Sequence, residues 1–210
     1  MDYEFLKTAF LTLFVAIDPP GLAPVFLSLT AALTLAQRKS VAVRAVVIAL
    51  GILIASALGG KPFLEMLGIG IPAFRIAGGL LLFSIAVEMV FERREQRRSQ
   101  SAETAAQEHK SIAAFPLAMP LMAGPGAITA TILQASNAHG EWLNMIGLIG
   151  ILIVVVGSCL PVFLLANHID KWLGVSGRMI LSRLLGVLLA AMAVQTVGDG
   201  VVAFIHSAKL

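Results

Sequence analysis

The sequence predicts an all-α membrane protein of six transmembrane helices, arranged as two inverted three-helix repeats. Three observations carry this prediction: apolar blocks of spanning length, Lys and Arg gathered on alternate loops, and two halves that resemble each other. The 210 residues are 58% hydrophobic and 13% charged, with a mean hydropathy of +0.91. A soluble domain carries about 25% charged residues, and a membrane helix needs about 20 consecutive apolar ones. The formal net charge of +3 is therefore read as membrane orientation, and no nucleic-acid partner is expected.

The chain reads as one transmembrane domain, 1–210, made of repeat one (1–91), a polar cytoplasmic linker (92–111) and repeat two (112–210). Block one, 5–35, is too long for a single straight span and contains Asp18-Pro19-Pro20-Gly21. Asp2 and Glu4 precede it where a signal peptide would be basic, so it is expected to stay as a transmembrane helix. Blocks two (41–59) and three (71–91) are ordinary spans, punctuated by Gly59-Gly60-Lys61-Pro62 and Gly68-Ile69-Gly70-Ile71-Pro72. The linker charges are expected to be solvated. Block four, 112–135, contains Gly124-Pro125-Gly126. Block five, 142–166, holds Cys159, the only cysteine, so no intrachain disulfide can form. Block six, 179–204, carries Gln195 and Asp199 late in the span. Trp142 and Trp172 lie near span ends, as interfacial anchors do.

Eleven of the Lys and Arg residues follow spans one, three and five, among them Arg38, Arg93, Arg94 and Arg183. Only Lys7, Lys61, Arg75 and Lys209 fall on the other side. Positive charge stays in the cytoplasm, so both termini are expected outside it. The halves align twice in nearly one register. Pro19 to Ala23 lies over Gly124 to Ile128, and Phe74 to Leu81 lies over Ser182 to Leu189. Three spans per unit make the copies run in opposite directions.

Each Pro-Gly segment interrupts a helix where water is scarce. Irregular backbone at that depth survives where protein packs on it or where it lines a cavity. Proline suits the first helical position, so a half-helix is expected to begin near Pro20 and another near Pro125. Their N-termini would converge from opposite sides, each with about half a positive charge. Gly21 and Gly126 allow close approach, while Thr129, Ser28 and Thr30 offer hydroxyls. Asp18 adds a carboxylate that either caps the second half-helix or meets a ligand. Amides and a carboxylate together suit a small zwitterion. The candidate binding residues are thus Asp18, Pro19, Pro20, Gly21, Gly124, Pro125, Gly126 and Thr129.

Other polar residues read more simply. Arg75 and Arg183 are expected as interface anchors, and Glu88 is expected to snorkel to the cytoplasmic surface. Gln195 can reach a cavity, and Asp199 marks a span end. His109, His139, His168 and His206 are scattered without ligand spacing, so no metal or cofactor is expected. Without a nucleophile and base pair at membrane depth, an enzyme is not expected.

The string Phe10-Leu11-Thr12-Leu13-Phe14-Val15-Ala16-Ile17-Asp18-Pro19-Pro20-Gly21 resembles the opening of the MarC family of six-span bacterial inner-membrane proteins. The string from Phe115 to Thr129 is similar to that family's second signature. Members often have Asn where Leu22 stands. The resemblance implies a bacterial inner-membrane location and, from some relatives, export of small neutral amino acids such as alanine or glycine. The expected partners are a small zwitterion, protons or sodium as coupling ion, membrane lipid and a second copy of the chain. A lipid-phosphate flippase and a non-transporting scaffold are the alternatives.

Overall fold

The fold is seen in a computed structural model that describes residues 2–31, 33–94, 112–138 and 141–208. Among the described residues, eight helical elements follow in order: α1 (Tyr3–Ile17), α2 (Pro19–Leu29), α3 (Leu35–Met66), α4 (Ile71–Val90), α5 (Ala113–Met122), α6 (Pro125–Asn137), α7 (Trp142–Leu164) and α8 (Ala166–Ala208). No strand occurs among the described residues. Most of the proposed linker, residues 95–111, lies outside them, as do His139, Lys209 and the side chain of Trp172.

Local chemistry explains the starts. Asp2 caps α1 by accepting from the amides of Glu4 and Phe5, and Thr34 with Gln37 forms a reciprocal capping box at α3. Five stretches are long and apolar enough to cross a membrane, with α5 and α6 together forming a sixth. The two breaks differ in consequence. α1 and α2 run on as one 27-residue span, whereas α5 and α6 meet at 58°. The second region is also irregular over a longer stretch. Phe115 and Met119 are extended because each precedes a proline, which disfavours helical backbone before it. Block six corresponds to the apolar span Ser176–Ser207, and α8 also takes in a segment from Ala166 that is set off by a kink at Gly174, where φ is 58°.

α3 buries Ala42, Ala45, Ala49, Leu53, Ala57 and Leu64, a stripe of helical period built mainly from small side chains. In lipid, helices associate through such close packing, since burying apolar surface drives little. α4 and α8 pack antiparallel along their lengths. A Cβ at Gly79 would meet Ala193 and Val197, and one at Gly200 would meet Ile76 and Pro72. Nearer the other end, Gly186 fits against Ala86 and Met89.

Several helix contacts come in counterparts when one half is exchanged for the other, although α1–α6 is far more extensive than its counterpart α2–α5. α3–α6 matches α2–α7, α3–α5 matches α1–α7, and α4–α6 matches α2–α8, while α3–α7 and α4–α8 are their own counterparts. Polar contacts also sort the loops into two ends. At one end the Asp2 amide donates to Asn144, and Arg75 donates to Asn137. At the other, Arg183 pairs with Glu92. Arg75 and Arg183 thus both bind protein partners, beyond the anchoring expected of them.

Candidate functional site

The first break is closed by the chain itself. Asp18 adopts a left-handed backbone, φ 57° and ψ 66°, which aspartate tolerates better than most residues. Its amide donates to the Phe14 carbonyl at 2.8 Å and ends α1. Its Oδ1 accepts from the Gly21 amide at 3.1 Å and caps α2. Pro19 and Pro20 occupy the intervening positions and have no amide to satisfy. The carboxylate folds back over Gly21, where a Cβ would lie 2.2 Å from Asp18 Oδ2. Only glycine leaves that room.

The carbonyl end of α1 has a cationic partner from far along the chain. Arg94 is 8% exposed. Its Nη2 donates to the Ala16 carbonyl at 2.6 Å and its Nη1 to Val15 at 3.4 Å. The turn that sends it there passes through Glu92, whose φ is 62°. A guanidinium on the last carbonyls complements the negative end of the helix dipole. Negative Asp18 thus sits on the positive end of α2, and positive Arg94 on the negative end of α1. Beside them lies a cavity of about 40 Å³, lined by Asp18, Pro20, Gly21, Pro24, Arg94 and Arg178 among others. That space suits a water-sized occupant.

The second break is left open. Pro125 starts α6 after Gly124, and no side chain caps the helix. Ile128 is the first residue of α6 whose amide bonds back to the Gly124 carbonyl. The amides of Gly126 and Ala127 lie in the first turn, where a helix supplies no partner of its own. Both residues line a cavity of about 410 Å³, within the range of small-molecule sites, about 300–1,000 Å³. Gly124, Pro125, Gly126 and Ala127 form one wall, while Ser84, Ile85 and Glu88 of α4 form another. Arg94 closes a third side, so it borders the cavities of both breaks.

The structure thus separates the residues that the sequence placed around one central cavity. Asp18, Pro20 and Gly21 border the small cavity, and Gly124, Pro125 and Gly126 the large one. Pro19 and Thr129 are buried but line neither. The Thr129 methyl instead occupies the space that a Cβ on Gly78 would need. Ser28 and Thr30 turn their hydroxyls back to the Val25 and Phe26 carbonyls, so neither offers its proton to a ligand. Leu22 is fully buried in the core. Gln195 is exposed and donates to Asp199 one turn on, at 2.8 Å, away from both cavities. Glu88, expected at the surface, is half-buried in the cavity wall.

Arg94, Glu88 and Ser84 are the residues that sequence reasoning missed. Arg94 is one of several basic residues in its segment, and no spacing distinguishes it. Glu88 did carry a signal, as an acid falling inside a span.

Fold and site define a multi-pass helical membrane protein with a cavity at a broken helix. The chain belongs to the MarC family: the model described as MarC family integral membrane protein matches residues 3–205. It is 36% identical over 201 residues to a UPF0056 membrane protein of Methanocaldococcus jannaschii, covering 96% of this chain and 98% of that one. With the UPF0056 membrane protein YhcE of Escherichia coli it shares 34% over 203 residues, 95% of this chain and 93% of the relative. A UPF0056 membrane protein of Bacillus subtilis, YvbG, is 32% identical over 205 residues, with 95% of each chain covered. No solved structure matches the chain.

Proposed function

We propose that this protein is a secondary transporter, working as an exporter, of small neutral amino acids such as alanine or glycine. One observation carries the reading: the uncapped start of α6 opens on a cavity of about 410 Å³ that also holds a carboxylate, Glu88, and a guanidinium, Arg94. Both charges of an α-amino acid sit on one carbon, so a site that reads them needs opposite partners in one small space. The uncapped amides and positive helix end favour the carboxylate. In this reading the protein lies in a bacterial inner membrane with both termini outside the cytoplasm, as the charge bias suggests. The halves act as inverted repeats that rock about the site. The paired helix contacts and the antiparallel α4 and α8 support that arrangement.

The test is flux of labelled alanine and glycine in proteoliposomes, with and without proton or sodium gradients. Export predicts saturable flux of both, driven by one gradient. Absence of flux under every gradient rejects the proposal. One observation favours a second reading, a lipid-phosphate flippase. Leu81, 48% exposed, also lines this cavity, as access for a lipid chain from the side would require. Movement of a labelled polyprenyl phosphate between leaflets, without amino-acid flux, would establish that reading instead.

A further inference from the structure

We infer that Glu88 is a specificity residue that binds the substrate's cationic amino group, so that the cavity at the second break selects zwitterions over simple anions. The inference rests on the transport reading and names the contact that reading lacks, a partner for the ammonium. Leu81, Ser84, Ile85 and Glu88 lie at helical spacing on one face of α4, all in the cavity wall. Ser84 and Glu88 are four residues apart, about 6 Å along the axis. They make a short polar stripe on the cavity side of a helix whose hydropathy marks it as a span.

The rest of the cavity is biased the other way. Arg94 brings a full positive charge, and the start of α6 brings a partial one with amides from Gly126 and Ala127. With those groups alone the site would prefer a monoanion, such as the deaminated acid. Among the described residues lining this cavity, Glu88 is the only carboxylate. Asp18 is directed to the Gly21 amide and borders the smaller cavity. Selection for an amino group at the second break therefore falls to Glu88. A Glu88 that served the fold alone would affect stability and leave discrimination alone.

The test is counterflow of labelled alanine in proteoliposomes, with unlabelled alanine, propionate or ethylamine as competitor. Wild-type protein should be inhibited by alanine and barely by the other two. Glu88→Gln should lose alanine flux by about tenfold or more, the scale of one charged hydrogen bond, and should bind propionate nearly as well as alanine. Glu88→Asp keeps the charge and should retain the preference at reduced flux. Thermal unfolding of each variant reports folding, and thermal shift with alanine or propionate reports binding without transport. The inference is overturned if folded Glu88→Gln discriminates like wild type in flux and in shift. Wild-type protein that neither moves nor binds alanine overturns the transport reading itself, and the inference with it.

Discussion

Replacing Arg94 with alanine should destabilise the protein far more than its place just past a helix end suggests. The side chain is 8% exposed and spans 78 positions in sequence to reach the Ala16 carbonyl. The 2.6 Å bond to Ala16 is worth about 1.5–3 kcal/mol on the scale of hydrogen bonds to charged groups. The bond to Val15, at 3.4 Å, lies near the limit of hydrogen-bond geometry and adds little. Loss of a cation from the carbonyl end of a partly buried helix costs about 0.3–2 kcal/mol more. The total is roughly 2–5 kcal/mol. In a chain of this size each kcal/mol moves the melting point by about 2–4 °C, so Arg94→Ala should lower it by roughly 4–20 °C. The assay is thermal unfolding in mild detergent, followed by helical circular dichroism. Arg93, exposed and adjacent, is the control, and Arg93→Ala should stay within about 0.5 kcal/mol of wild type. If Arg94→Ala melts with Arg93→Ala, the guanidinium does not hold the first break closed.

Two further substitutions probe the two breaks separately. Asp18→Asn keeps an oxygen to cap α2 and tolerates the left-handed backbone, so its melting point should match wild type; Asp18→Ala loses both and should cost about 2–3 kcal/mol. Equal melting of the two variants would contradict the capping role. At the second break, a Cβ on Gly126 would lie 2.1 Å from Ile85 Cδ1, so Gly126→Ala should push that side chain into the large cavity and cut alanine flux. Adding Ile85→Val, which lacks that terminal methyl, should restore flux; no recovery would mean that Gly126 acts through its backbone instead.

Much of the fold was legible because its causes are local. Hydropathy depends on what each residue loses on leaving water, so blocks one, three, four and five correspond closely to helices or helix pairs in the bundle. Proline stereochemistry acts on the residues beside it, so α2 begins at Pro19 and α6 at Pro125, close to where the sequence put two half-helices. Block six matches the apolar span Ser176–Ser207, whereas the longer α3 was less legible, because a helix that continues beyond the apolar block leaves no hydropathy signal there. The site was legible only in outline. Both Pro-Gly segments border cavities, yet the sequence could not rank them.

The sequence by itself determined a membrane-embedded helical chain, two helix breaks, and an aspartate at the first suited to capping. Tertiary structure alone decided which break stays open. That outcome depends on Arg94, whose guanidinium reaches the end of α1 only because the chain turns back at Glu92 after α4 has docked. It depends equally on Glu88, which the packing of α4 against α6 turns from a span-end acid into a cavity wall. Contacts between residues so distant in sequence follow from how whole helices pack, and no local pattern encodes them. The physical reason is electrostatic. The first break holds an acid and a base matched to its two helix ends, whereas the second has no side-chain cap and borders a cavity large enough for a ligand.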